Sequence, residues 1–195
     1  MVMPAPLPLL PEDSRRDWTV EQVNALPDDG HRYEVIDGEL LVSPGPTYIH
    51  QYAVLKLAAQ VELYAEMRGL DCLVAPAAVT FSGQREVQPD VFVLPRLDGR
   101  RATSFADVKR VLLAVEVISP STARVDRVRK RELYQSEGVP EYWIVYPDAR
   151  LVERWRPNDE RPEILADTLT WQPRADDVAL VIDLPAYFAR VHGES

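Results

Sequence analysis

The chain has 195 residues, of which 46% are hydrophobic and 27% are charged, and this size and composition suit one compact domain. The formal net charge of -9 argues against a protein that coats nucleic acid nonspecifically, because such affinity comes mostly from cationic contacts to phosphate. The sequence contains no apolar run long enough to span a bilayer, so we expect a cytoplasmic protein with no membrane partner. The lone cysteine, Cys72, fits a reducing compartment.

The N-terminal region divides into an arm and the start of a domain. Residues 1–13 are rich in proline, and we expect them to form an extended arm outside a single domain that covers 14–195. Thr19 followed by Gln22 matches a capping box, which predicts a short helix that ends near Leu26.

A hairpin and a long helix are predicted next. The pair Asp37-Gly38 is a strong two-residue turn signal between strands at 33–36 and 39–42. Residues 47–68 have the length and the helix formers of a long helix. One face of this helix is apolar and should pack against a sheet: His50, Val54, Leu57, Val61 and Tyr64.

The middle of the chain predicts a sheet with a crossover helix. Apolar strands are predicted at 72–81, 87–94 and 111–118, and the last of these has Glu116 as its only polar residue, which indicates a central strand covered on both faces. A charged helix over 122–137 follows. It leads into the next apolar strand, 142–146.

The C-terminal part predicts smaller elements. A turn after Tyr146 leads into a strand from Leu151 to Trp155, and a further strand near 178–182 precedes a short helix that begins at about Pro185. The order of elements predicts the α/β class, with a mixed sheet flanked by helices and preceded by an N-terminal helix and hairpin.

Two acids on neighbouring predicted strands carry the chemistry. Asp90 begins one strand after Pro89, and Glu116 lies inside the next. Carboxylates in this arrangement can hold a hard divalent ion such as Mg²⁺, and the backbone carbonyl of Val117 could add a third oxygen. The alternative is that Asp90 ends a turn and that Glu116 pairs with an arginine. Glu116 needs a partner or a metal in either case, because burial of an isolated carboxylate is very costly.

A lysine on the crossover helix is the third candidate. Asp126, Lys130 and Tyr134 recur every four residues and share one stripe of the helix, from which Lys130 could reach back toward the metal. The alternative is an ordinary Asp126–Lys130 pair on a solvated face.

Several motifs together resemble the Uma2 family of restriction-endonuclease-like proteins over roughly residues 17–157. They are Tyr33-Glu-Val-Ile-Asp-Gly-Glu39, Ser43-Pro44 with His50, Val87-Gln-Pro-Asp90, Val115-Glu-Val-Ile-Ser-Pro-Ser-Thr122, Asp126 with Lys130 and Tyr134, and Gly138-Val-Pro-Glu-Tyr-Trp143. The resemblance implies a restriction-endonuclease-like fold with a PD-(D/E)XK type site, in which Asp90 and Glu116 are the two acids. Ile118 stands where the usual lysine of this site would be, and the resemblance assigns the role of that lysine to Lys130.

Further residues complete the predicted site. We expect Glu34 to add an acid to the metal site, with a solvent-facing hairpin residue as the alternative. His50 is expected to contact a phosphate or a bound water, with a structural hydrogen bond as the alternative. Gln88, Asp126 and Tyr134 are expected to support the site.

We therefore expect a Mg²⁺-dependent endonuclease, with Mn²⁺ as a substitute, that hydrolyses phosphodiester bonds in nucleic acid, DNA more than RNA. Asp90, Glu116 and Lys130 are its predicted catalytic residues, and Asp90, Glu116 and Val117 its metal ligands. One alternative is a nuclease fold with weak or no catalysis that binds nucleic acid or regulates, and another is an oligomerising protein with a buried Glu116–Lys130 ion pair. A homodimer is expected.

Overall fold

The computed structural model describes residues 17–105, 108, 110–118 and 125–194, and for 125–127 it describes the backbone only. The predicted arm over 1–13 and the predicted start of the crossover helix at 122–124 lie outside these residues. The helices are α1 (Val20–Asn24), α2 (Tyr48–Met67), α3 (Arg131–Ser136) and α4 (Leu184–His192), and a π-helical segment, Val125–Lys130, leads directly into α3. The strands are β1 (Arg32–Ile36), β2 (Glu39–Ser43), β3 (Leu70–Val74), β4 (Val79–Ser82), β5 (Arg85–Val87), β6 (Val91–Pro95), β7 (Leu113–Val117), β8 (Glu141–Tyr146), β9 (Leu151–Trp155), β10 (Glu163–Leu165), β11 (Thr168–Trp171) and β12 (Leu180–Asp183).

The main sheet has six strands in the order β10-β9-β8-β7-β6-β3. Strands β7 and β8 run parallel, and the other neighbours in this sheet run antiparallel. A parallel pair requires a crossover, and the π-helical segment with α3 lies on that connection. The predicted strand, helix, strand unit is thereby confirmed in its described part, as is the mixed α/β class.

Strand β7 lies in the interior of the main sheet, between β8 and β6. All five of its residues are buried, and alternate side chains enter two different hydrophobic cores. Val115 packs with α2 and α4 on one face, whereas Ala114 packs with α3 on the other. The predicted cover on both faces is confirmed, and it explains why the segment reads as a continuous apolar run.

The hairpin belongs to a second sheet with the order β2-β1-β5-β4. Its two turn residues, Asp37 and Gly38, have φ angles of 53° and 76°. Positive φ at both central residues is typical of the type I′ turn that the Asp-Gly pair predicts. The helix α1 carries the complete capping box of Thr19 and Gln22, so this prediction is also confirmed.

The predicted extents of two strands were wrong. The segment predicted as one strand at 72–81 forms β3 and β4 in different sheets, and the segment at 87–94 is divided between β5 and β6. Each break contains a proline, Pro76 in the first and Pro89 in the second. Proline has no N–H to donate to a strand ladder, so pairing stops there and the chain passes from one sheet to the other.

The long helix and the C-terminal elements agree with prediction. Helix α2 begins after Thr47, whose side chain accepts a hydrogen bond from the backbone N–H of His50, and its predicted inner face is buried except for the partly exposed Val54. Strands β10 and β11 were not predicted. Among the described residues, no helix combines the length and the apolar character needed to cross a membrane.

Candidate active site

The register of β6 and β7 places two acids on one face of the main sheet. Val91 pairs with Val115 in an antiparallel ladder, so the preceding Asp90 lies opposite the following Glu116. Residues opposite each other across such a pair project to the same face, with Cβ atoms about 5 Å apart. The backbone N–H of Val117 donates to Oδ2 of Asp90 over 2.8 Å, which holds the Asp90 carboxylate against the end of β7.

Asp90 is engaged at both carboxylate oxygens. Oδ1 accepts a hydrogen bond of 2.9 Å from Nη2 of Arg32, and Oδ2 lies 3.0 Å from Nε2 of His50. Burial by itself would raise the pKa of Asp90, but the hydrogen bond to His50 and the charge of Arg32 outweigh it and lower the pKa to about 2. Asp90 is therefore a carboxylate at any physiological pH.

Lys130 joins the other two acids of the site. Its Nζ lies 2.9 Å from Oε1 of Glu34 and 2.9 Å from Oε1 of Glu116, and the hydroxyl of Tyr134 donates to the same Glu116 oxygen over 3.1 Å. The side chains of Glu34, Glu116 and Lys130 are all almost completely buried. Lys130 lies at the junction of the π-helical segment and α3, and such widened turns often occur at functional sites.

Gln88 connects Glu34 with Arg32 through its backbone groups. Its N–H donates to Oε1 of Glu34 over 2.7 Å, and its carbonyl accepts from Nη1 of Arg32 over 3.1 Å. Its side-chain amide donates to the carbonyl of Tyr33 over 3.3 Å. The break between β5 and β6 thus positions backbone groups that bind both an acid and a cation.

The site carries an excess of negative charge. Three buried carboxylates, on Glu34, Asp90 and Glu116, face two permanent cations, Arg32 and Lys130. Burial alone would lower the pKa of Arg32, but the three acids together raise it above its ordinary value. Among these five side chains, carboxylates therefore outnumber permanent cations by one.

A cleft of about 340 Å³ gives access to one end of the site. Arg32, His50 and Asp90 line it, together with the loop at Pro44–Pro46 and the segment around Pro76. Nδ1 of His50 is buried and has no hydrogen-bond partner among the described residues. A molecule bound in this cleft could therefore contact Arg32, His50 and Asp90 directly.

The structure brings together eight of the sequence-predicted residues: Glu34, His50, Gln88, Asp90, Glu116, Val117, Lys130 and Tyr134. The side chain of Asp126 lies outside the described part. Ile118 packs against the hydrophobic core on the α3 side, while Lys130 supplies the amine near Glu116.

Arg32 was not predicted from the sequence. It lies two residues before Glu34 on β1, so strand alternation places both side chains on the same face. Because Glu34 was predicted as a site residue, this spacing of two could have identified Arg32 as a neighbour of the site.

A magnesium ion that keeps several water ligands needs few oxygen donors from the protein. Among the described residues, no group of three or more His, Cys, Asp or Glu side chains is arranged to hold a metal ion. The predicted set is smaller, with the carboxylates of Asp90 and Glu116 and the carbonyl of Val117. Mg²⁺ commonly binds through one or two carboxylates and water, and the excess negative charge of the site favours a cation.

Comparisons with known proteins agree with this fold. A family model matches residues 20–184, and its family is Uma2, described as "Putative restriction endonuclease". A crystal structure from Anabaena variabilis, described as "a putative nuclease belonging to DUF820", is similar with a TM-score of 0.72 and 20% identity, over 89% of this chain and 99% of that chain. At this identity the likeness shows the fold. No curated protein matches the sequence.

Proposed function

The chain belongs to the Uma2 family, and on that basis we propose that it is a metal-dependent endonuclease that hydrolyses phosphodiester bonds in nucleic acid, DNA more than RNA. The observation that carries the proposal is a group of three buried acids, in which Lys130 bridges Glu34 and Glu116, and Asp90 lines a cleft. Burial of so many charges is costly, and such clusters concentrate at functional sites.

Asp90, Glu116 and the carbonyl of Val117 would hold Mg²⁺, with Mn²⁺ as a substitute. When bound, the ion would stabilise negative charge on the phosphate and lower the pKa of an attacking water. The excess negative charge of the site supports this assignment, since an anionic substrate would otherwise be repelled.

The side chains around the acids have distinct tasks in this proposal. Lys130 holds Glu34 and Glu116 in place and keeps a positive charge near the reacting phosphate as negative charge develops. Tyr134 orients Glu116 through its hydroxyl. Arg32 and His50 line the cleft beside Asp90 and would supply the nitrogen donors that bind phosphate oxygens.

The test is a plasmid nicking assay with Mg²⁺ or Mn²⁺. Wild type should convert supercoiled plasmid to nicked circles, and Asp90→Asn and Lys130→Met should each lose about 100-fold or more in rate, as removal of a charge-stabilising group commonly does. Chelation of the metal should abolish nicking by wild type. Parallel assays on double-stranded DNA, single-stranded DNA and RNA would establish the preferred substrate.

Arg150→Met is the matched control. Arg150 pairs with Glu194 outside the site, and its replacement also removes one positive charge. This variant should retain wild-type nicking, and thermal unfolding of all variants would separate lost chemistry from lost structure. Equal nicking by wild type, Asp90→Asn and Lys130→Met would overturn the assignment.

One observation favours a second candidate, a nuclease fold that binds nucleic acid without cleaving it. Both oxygens of Asp90 are engaged by donors of the chain itself, Arg32, His50 and the N–H of Val117. Calorimetry would distinguish the two candidates. The enzyme must bind Mg²⁺ or Mn²⁺ at millimolar concentration, whereas a noncatalytic module in which Arg32 and Lys130 already pair with the acids need not bind either ion.

A further inference from the structure

Helix α2 has apolar residues on its outer as well as its inner face. The outer face includes five exposed apolar residues, Tyr48, Leu55, Ala59, Leu63 and Met67, and the exposed acids Glu62 and Glu66 lie beside them. Tyr48 is 75% exposed, and Leu55, Leu63 and Met67 are about 60% exposed. A helix that is apolar on opposite sides is typical of a helix buried on both.

A groove continues this outer face toward the edge of the main sheet. It has a volume of about 560 Å³, and its lining includes Leu55, Ala59, Val74 and Phe105. Six of the twelve large hydrophobic side chains that the structure shows as exposed lie on the outer face of α2 or in this groove. Exposed apolar side chains so concentrated on one surface mark an interaction site.

The charges of α2 are divided between its two halves. The N-terminal half contains Lys56 and no acid, whereas the C-terminal half contains Glu62 and Glu66. Glu66 is paired with Arg96 and Arg101, at 2.8 Å from each. Lys56 and Glu62 place opposite charges on the two halves of the helix, which suits an antiparallel second copy of α2 better than the uniformly negative backbone of a nucleic acid.

We propose that the outer face of α2 and the adjoining groove bind a second copy of this chain, with the two α2 helices antiparallel about a two-fold axis at Ala59. This arrangement places Leu55 at the level of the partner subunit's Leu63, and Lys56 at the level of the partner subunit's Glu62. A parallel pair would instead bring the acidic halves together. The opposed helix dipoles also favour the antiparallel arrangement.

Shape supports the same geometry. Ala59 is the smallest of the five exposed apolar residues and lies near their middle, so the helices can approach closely at the crossing point. A helix of this length is about 30 Å long. The helix pair alone is a narrow contact, whereas a stable dimer buries about 800 Å² on each partner, so the proposed interface includes the groove as well.

The first experiment measures mass in solution by sedimentation velocity on the full chain. Wild type should sediment as a dimer, with twice the chain mass of 22.1 kDa. The double variant Leu55→Lys, Leu63→Lys should sediment as a monomer. The matched control is Val42→Lys, Ile164→Lys, which changes two exposed apolar side chains on β2 and β10 and should remain a dimer.

The second experiment tests the position of the axis and does not depend on a destabilising change. Ala59→Cys should form a disulfide-linked dimer under mild oxidation, whereas wild type, which retains Cys72, should not. A monomeric wild type would overturn the proposal and would leave residues 1–16 or another protein as the occupant. A dimer that survives the double lysine variant, or fails to cross-link at position 59, would equally overturn it. Neither measurement involves metal or nucleic acid, so both are independent of the proposed nuclease activity.

Discussion

The ammonium of Lys130 lies 2.9 Å from Oε1 of Glu116, although the two residues are 14 positions apart and belong to different elements. Glu116 projects from the central strand β7, and Lys130 reaches it from the helical crossover that returns to β8. This contact supplies an amine beside the second acid even though Ile118 occupies the position of the usual lysine. The crossover thus places Lys130, which is distant in sequence, beside Glu116, where the usual site has a lysine close in sequence.

Removal of Lys130 should destabilise the protein as well as inactivate it. Lys130→Met leaves Glu34 and Glu116 buried without their shared cation, so the free energy of unfolding should fall by about 3–5 kcal/mol. In the double variant Glu116→Gln, Lys130→Met, the loss should be smaller than the sum of the two single losses by about 1 kcal/mol or more. Urea unfolding of the four proteins gives these values, and strictly additive losses would show that the two side chains are not coupled.

The stability of the chelator-treated protein should depend on the ionisation of Asp90. Its pKa is lowered from 3.8 to about 2, so between these values the unfolded chain holds more protons than the folded one. The stabilisation, about 2 kcal/mol, is complete above about pH 4 and is lost as the pH falls toward 2. Urea unfolding from pH 5 to 2 should show this loss in wild type and a flatter profile in Asp90→Asn. Parallel profiles for the two proteins would contradict the contribution of Asp90.

Arg32 should compete with a metal ion for Asp90. Its guanidinium hydrogen-bonds to Oδ1, so Arg32→Gln removes a cation from the proposed site and should tighten Mn²⁺ binding several-fold in calorimetry. Arg101→Gln is the matched control, because Arg101 pairs with Glu66 and Asp71 away from the site, and its Mn²⁺ affinity should equal that of wild type. Unchanged or weaker binding by Arg32→Gln would show that Arg32 does not oppose the metal.

Local signals in the sequence predicted much of the fold. The Asp37-Gly38 turn, the α1 capping box and the apolar face of α2 depend on neighbours only a few residues away, so they can be recognised without tertiary information. The extent of the strands at Pro76 and Pro89 was not predicted correctly. The pattern of apolar residues continues across each proline, whereas pairing partners in two different sheets determine where the strands end.

In the candidate site, too, local patterns and family motifs predicted some residues and missed others. Glu116 was identifiable because an acid in an apolar central strand requires a partner, and Asp90 and Lys130 because the family motifs include them. Arg32 was missed, since a charged residue on a hairpin strand normally faces solvent. Its position beside Asp90 depends on the second sheet packing against the end of the first, which no local pattern encodes.

The sequence by itself determined the α/β class and most elements, because secondary structure follows from local residue patterns, and it singled out Glu116 because burial of an unpaired charge is costly. Only the tertiary structure decided how the charges are paired. Lys130 bridges Glu34 and Glu116, and Arg32 and His50 enclose Asp90, over separations of 14 to 96 residues. Hydrogen bonds act over about 3 Å, so these partners are set by the packing of two sheets and a crossover rather than by their order along the chain.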